Sequence, residues 1–277
     1  MKTYNLKLAI LLLITLCCAD LVGTAYLVQW REAFWSSVSD KNLTSFIKLL
    51  MIFSVVALTL CVVNGLQTYV RQHIALYARK KLTKRALATT RARTLEGHQQ
   101  RIQEDCRDYP LLALDLLQYV VMQSILVVYF IYVIAHQAGI VYVMIPIAYG
   151  LIGTGLGYYI ANPLIHLNYV NQVLEAAFRQ SLSKLDYGKV HRNNHKMFRK
   201  TKHLQYFQYF YTQTSVIFPY LILAPLYFSG VIVFGVLMQC ASTIAHLTDA
   251  LGSIVTNFDK VNKMLSCRKR LIEMGVI

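Results

Sequence analysis

Residues 46–66 read FIKLLMIFSVVALTLCVVNGL, and from Gln67 to Gly97 the chain continues QTYVRQHIALYARKKLTKRALATTRARTLEG. The first stretch is apolar over about 20 residues, and a helix of that length crosses a hydrocarbon layer roughly 30 Å thick. The second holds no proline, and its Ala, Leu, Lys, Arg and Gln residues are strong helix formers. Together they predict a helix that crosses a membrane and leaves it as a charged rod of several turns. It turns near Glu96-Gly97, the one breaker, and returns through Arg101 to Tyr109.

Five more windows share the character of the first. The six lie near Leu8 to Val28, Phe46 to Leu66, Leu111 to Ala135, Ile140 to Ile160, Tyr206 to Phe228 and Val231 to Leu251. The gaps at 67–110 and 161–205 are long, and those at 29–45, 136–139 and 229–230 are short. In the second long gap, Leu164 to Leu185 lacks Gly and Pro, while Asp186-Tyr187-Gly188 and Asn193-Asn194 carry turn chemistry. The expectation is an all-α membrane protein of one domain over residues 1–277.

Charge sets the orientation. Hydrophobic residues make up 56% and charged residues 15% of the chain, against roughly 25% charged in soluble domains. Of the 28 Lys and Arg residues, 25 fall before the first span, in the two long gaps or after the last span. The positive-inside rule then places both termini and both long loops in the cytoplasm. Such basic loops explain the net charge of +15 as topology, with acidic lipid head groups as secondary partners. The pattern argues against nucleic acid. Lys2 and Lys7 before an apolar run resemble a signal peptide, but the run is too long and has no small-x-small cleavage site. It is expected to be a retained first helix.

Two helical pairs with long cytoplasmic extensions and very short outer loops describe the membrane domain of an ABC exporter (type I exporter, type IV fold). In that architecture the inner loops dock onto ATPase domains. This sequence has no G-x-x-x-x-G-K-[ST] phosphate loop, and the residues from 252 to 277 are too few for a nucleotide-binding domain. Gly153-Thr154-Gly155-Leu156-Gly157 sits inside an apolar span rather than after a strand. It reads as close helix packing through Gly153 and Gly157, not as a dinucleotide loop. The six cysteines show no C-x-x-C spacing. No metal site, cofactor or enzymatic activity is expected.

Ionisable groups inside spans are costly, so they face partners or water and mark function by default. Gln239, Ser242, Thr243, His246, Asp249, Ser253 and Asn257 recur every three or four residues on one predicted helical face. That stripe can line an aqueous path, with His246 and Asp249 as a proton-binding pair, or it can hydrogen-bond neighbouring helices. Asp20, and Asp115 beside Gln118, are further candidates for the same cavity. The run Tyr206-Phe207-Gln208-Tyr209-Phe210-Tyr211-Thr212-Gln213 fits either an interfacial aromatic belt or a cavity wall through Tyr209 and Gln213.

Three segments point to a family. LEGHQQRIQED (95–105) resembles the E-G-x-x-Q-R-x-Q-E-D segment of the SbmA/BacA family of bacterial peptide-antibiotic uptake transporters. GLIGTGL (150–156) is similar to its L-x-G-T-G-L stretch, and NQVLEAAFR (171–179) to its N-Q-x-x-E-A-x-[FY]-R segment. Phe34-Trp35 and Lys269-Arg270-Leu271 follow in matching order. The resemblance implies a domain-swapped homodimer with the exporter membrane fold and no ATPase, driven by protons. It implies import of antimicrobial peptides and other bulky solutes across the bacterial inner membrane. The family's proton-binding acids carry over onto Glu96, Glu104, Asp105 and Glu175. Glu104 and Asp105 also have a plainer reading as helical ion pairs with Arg101 and Arg107. Two departures, the short stretch before the first span and the basic segment Lys184 to Lys202, put the substrate range in doubt. Two alternatives remain: a membrane subunit served by a separate ATPase chain, and a non-transporting accessory protein.

Overall fold

The computed structural model describes residues 6–90, 98–180, 187–273 and 275–277. The side chains at 89–102, 161–193, 197, 208, 252–256, 258, 259, 262 and 273 lie outside that description. The described residues form seven helices and no strand: α1 (Leu6–Ser39), α2 (Leu43–Thr90), α3 (His98–Gln137), α4 (Val141–Gln180), α5 (Tyr187–Phe228), α6 (Phe234–Thr256) and α7 (Phe258–Glu273). The 48 residues of α2 rise about 70 Å at roughly 1.5 Å each, about twice a hydrocarbon layer. The charged half therefore does continue the apolar half as one helix. The expected turn at Glu96-Gly97 lies outside the described residues.

Four helical segments are long and apolar enough to cross a membrane: Leu6–Ser39, Leu43–Ala88, Gln103–Gln137 and Val141–Ile160. The windows on α5 and α6 are more polar, because Thr212 and Gln213 lie on one and Gln239, His246 and Asp249 on the other.

Two expectations about turns are corrected. The gap at 29–45 is mostly helix, since α1 runs to Ser39. Asn193-Asn194 lies within α5 rather than in a turn, because residues that favour turns are tolerated in a helix whose neighbours on both sides are strong formers. The tight turns after α1 and α5 are built by local capping. After α1, Lys41 takes a left-handed conformation (φ 53°), its N–H donates to Val38 O, and Asn42 N–H donates to Ser37 O, which closes a Schellman motif. Asn42 then caps α2 by accepting from Ser45 N–H at 3.1 Å. Gly230 (φ 77°) does the same work after α5, where Gly230 N–H donates to Tyr227 O and Val231 N–H to Leu226 O. At Lys41 a side chain bears the left-handed strain that glycine avoids.

Packing centres on α6. The main core gathers Val28 of α1, Phe130, Val133 and Ile134 of α3, Val143 of α4, Leu223 of α5, and a row along α6 from Ile232 to Leu247. α1 packs on α2 and α6, α4 on α5 and α6, and α3 on α2, α6 and α7. Gly235 makes the α1 to α6 approach possible, because a Cβ there would overlap Glu32 O and Ser36 Oγ. Gly153 and Gly157 are buried while Gly155 is exposed. At Gly153 a Cβ would overlap the Tyr211 ring of α5, so this glycine serves helix packing. A second, smaller core lies apart from the first: Ala86 of α2, Cys106 of α3 and Leu271 of α7, with Val276.

Candidate functional site

Three polar clusters cross the helices, and their chemistry differs. The first joins α1, α3 and α6. Arg31 reaches over α6, where its Nη1 donates to Ser242 Oγ and meets His246 Nε2 at 3.1 Å. A guanidinium nitrogen only donates. His246 Nε2 therefore accepts, which assigns the neutral ring with its proton on Nδ1. Ser242 donates in turn to Gln239 O at 3.1 Å. The Phe130 ring stacks on His246 with centroids 5.8 Å apart. On the adjoining face of α1, Glu32 Oε2 accepts from Gln137 Nε2 at 3.2 Å, and the same Gln137 nitrogen donates to Gln239 Oε1 at 3.4 Å.

The polar stripe of α6 thus splits in two. Gln239 is 2% exposed and donates to Val28 O at 3.1 Å, and Thr243 is fully buried with its hydroxyl donating to Gln239 O at 2.7 Å. Both belong to the helix interface rather than to a cavity wall within this chain, because each buried polar atom needs a protein partner. His246 and Asp249 are exposed and Ser242 half-buried. The partner that His246 meets is Arg31; among the described residues no ion pair joins it to Asp249. Ser253 falls on α6, but its side chain lies outside the described residues.

The second cluster lies lower, between α1, α2 and α3. Arg71 Nε sits 2.6 Å from Asp115 Oδ1. That N–H makes no directed hydrogen bond, so the contact is ionic. Arg71 Nη1 donates to Gln118 Oε1 at 3.0 Å, Gln118 Nε2 to Gln67 Oε1 at 2.7 Å, and Gln67 Nε2 to Leu16 O at 3.0 Å. Asp20 accepts from Asn64 Nδ2 at 3.1 Å. Asp20, Asp115 and Gln118 are thus tied across helices. Tyr209 and Gln213 face outward from α5 and join none of the clusters, whereas Tyr211 turns inward and stacks on Tyr149 at 5.0 Å.

The third cluster holds α7 to α3. Arg270 donates to both oxygens of Asp105, Nε at 2.8 Å and Nη2 at 2.6 Å. Asp108 pairs with Lys263 Nζ at 2.8 Å and with Arg107 Nε at 2.8 Å. The Asp105 carboxylate holds the Arg270 guanidinium proton more firmly than usual, the hydrogen bond to Asp108 raises Lys263, and burial raises the Cys267 thiol. The partner described for Asp105 is on α7, since one face of α3 looks at that helix; the side chain of Arg101 lies outside the described residues. Glu104 is exposed beside Asp105. Glu175 lies on α4 with its side chain outside the described residues, and Glu96 is outside them altogether.

The model of the SbmA/BacA-like family matches residues 14–276. This chain belongs to that family. All three clusters fall within the match, as do the three segments read from the sequence. The chain is also similar to ABC transporter D family member 2, chloroplastic, of Arabidopsis thaliana. Identity is 24% over 152 residues, which cover 47% of this chain and 22% of that protein. The SbmA/BacA-like chain thus spans only a small part of that relative's length. Family and apolar helices together make it a membrane protein. Sequence reasoning missed Arg31, Glu32, Asn64, Gln67 and Arg71 as partners of the intramembrane groups. The signal was present at Arg31-Glu32, an adjacent charge pair between Trp30 and Trp35 within reach of an apolar run.

Proposed function

We propose that this SbmA/BacA-like chain is a proton-gradient-driven importer of peptides and related bulky solutes in the bacterial inner membrane. It works as a homodimer of six-span subunits with both termini cytoplasmic, by alternating access and without an ATPase. The observation that carries the reading is the family match over residues 14–276. The intramembrane clusters support it physically. Charged and titratable groups that persist in spans despite their cost mark ion or substrate paths, and here Asp20, Asp115 and His246 are each held by a partner on another helix. Glu96, Glu104, Asp105, Glu175 and Asp249 remain the other proton candidates. Asp105 ranks below the rest, because Arg270 already occupies both of its carboxylate oxygens. Uptake of a labelled proline-rich peptide by cells should collapse on adding a protonophore; persistence of uptake would refute the reading.

The similarity to an ABC transporter over about half the chain favours one second reading, a membrane subunit with its ATPase on another chain. Purification separates the two. A stoichiometric ATPase that co-purifies from the native membrane supports the second, and the chain isolated with itself alone supports the first.

A further inference from the structure

Arg31 is the cation of the α1–α3–α6 cluster, and among the described residues it makes no ion pair. Its side chain is half-buried, and among the described residues no carboxylate lies within ion-pairing distance of it. Glu32 follows directly, but successive helical residues diverge by about 100°, and Glu32 turns to Gln137 of α3. What Arg31 does meet is two neutral groups, Ser242 Oγ and His246 Nε2, both through Nη1. The remaining donors, Nε and Nη2, make no hydrogen bond or ion pair among the described residues. Nor does Arg31 reach out toward lipid: both its contacts are on α6, the most central helix, on the edge of that helix left exposed at His246 and Asp249. A guanidinium in a membrane span without a counter-charge is costly, and its free donors form a planar fork that fits a carboxylate with two parallel hydrogen bonds.

We infer that Arg31, oriented by Ser242 and His246, binds the free C-terminal carboxylate of the transported peptide. The ligand supplies the missing negative charge, and Nε with Nη2 supply the fork. Ser242 and His246 fix the guanidinium through its other nitrogen and leave that edge open. The inference rests on the proposed peptide import for the identity of its ligand, but the binding itself can be read without transport.

Both tryptophans of the chain, Trp30 and Trp35, flank Arg31 on α1, so their fluorescence reports the site. Purified unmodified protein is titrated, with no gradient present, with an N-acetylated tripeptide as its free acid and as its C-terminal amide. The free acid is expected to give a saturable change at least about tenfold tighter than the amide, as a charge-assisted hydrogen bond requires. Arg31→Gln should abolish the difference, and Arg31→Lys should retain part of it. Equal response to acid and amide in the unmodified protein overturns the inference, as does an acid preference that survives in Arg31→Gln. An equal response to inorganic phosphate overturns the carboxylate assignment in favour of a general oxyanion site. Acid-selective binding without gradient-driven uptake would refute only the import reading, and uptake without acid selectivity would refute only the Arg31 inference.

Discussion

The cluster on α1, α3 and α6 and the junction of α3 with α7 both contain arginine and acid, yet they are built on opposite rules. At the junction each acid has a cation: Asp105 takes both forks of Arg270, and Asp108 takes Lys263 and Arg107. These pairs surround a small core of Ala86, Cys106 and Leu271. In the α1–α3–α6 cluster Arg31 and Glu32 are neighbours in sequence, yet each is given neutral partners, Ser242 and His246 for one and Gln137 for the other. The junction pairs its charges with opposite charges, as Arg71 and Asp115 are paired in the second cluster, and the α1–α3–α6 cluster does not. A region selected for stability alone would show the reverse, because an uncompensated charge costs most where the dielectric is lowest.

That contrast can be broken by mutation. The largest loss of stability is expected from Arg270→Ala, which leaves the Asp105 carboxylate, 4% exposed, without its partner. About 2 kcal/mol should be lost, seen as a lower Tm in detergent, while a loss as small as a surface pair's would show the junction is not a clamp. Gln239→Leu, which removes a buried amide but keeps the volume, should change stability by about 1 kcal/mol while weakening uptake through Gln137, which loses one of its two acceptors. Arg31→Gln should likewise leave Tm within a few degrees, since its partners are neutral and able to bond water, and should reduce peptide uptake far more than Arg270→Ala does per unit of stability lost. If Arg31→Gln unfolds the protein instead, the α1–α3–α6 cluster is structural and the contrast fails.

The smallest effect belongs to Lys263→Ala. Its side chain is 60% exposed, and exposed pairs contribute less than about 1 kcal/mol and are screened by salt. Asp108 raises the folded-state value of Lys263 above 10.5, so its contribution is intact below that pH and is lost as pH rises through the raised value. The difference in stability between Lys263→Ala and the unmodified protein should therefore stay constant between pH 7 and 9.

The sequence disclosed the long helices well, because composition alone decides whether a charged stretch continues a span: α2 runs from Leu43 to Thr90 as its Ala, Leu, Lys and Arg content requires. Asn193-Asn194 misled, since turn propensity is weak against a helix of 42 residues. For the site, periodicity found the right helix but not the right edge. Residues spaced by three and four cover a stripe wide enough to include both Gln239, buried against α1, and His246, on an exposed edge beside Arg31 and Phe130. Only the neighbours decide between those edges. The partners across helices, such as Arg71 with Asp115 or Asn64 with Asp20, are separated by 44 residues in each case, and no local pattern encodes such pairs.

The most direct measurement uses purified protein in liposomes loaded with a labelled peptide acceptor and given an imposed pH gradient, with no ATP present. The account predicts peptide accumulation that rises with the gradient and vanishes when it is dissipated. Accumulation that is absent under a gradient and appears only when ATP and an ATPase chain are supplied would contradict it.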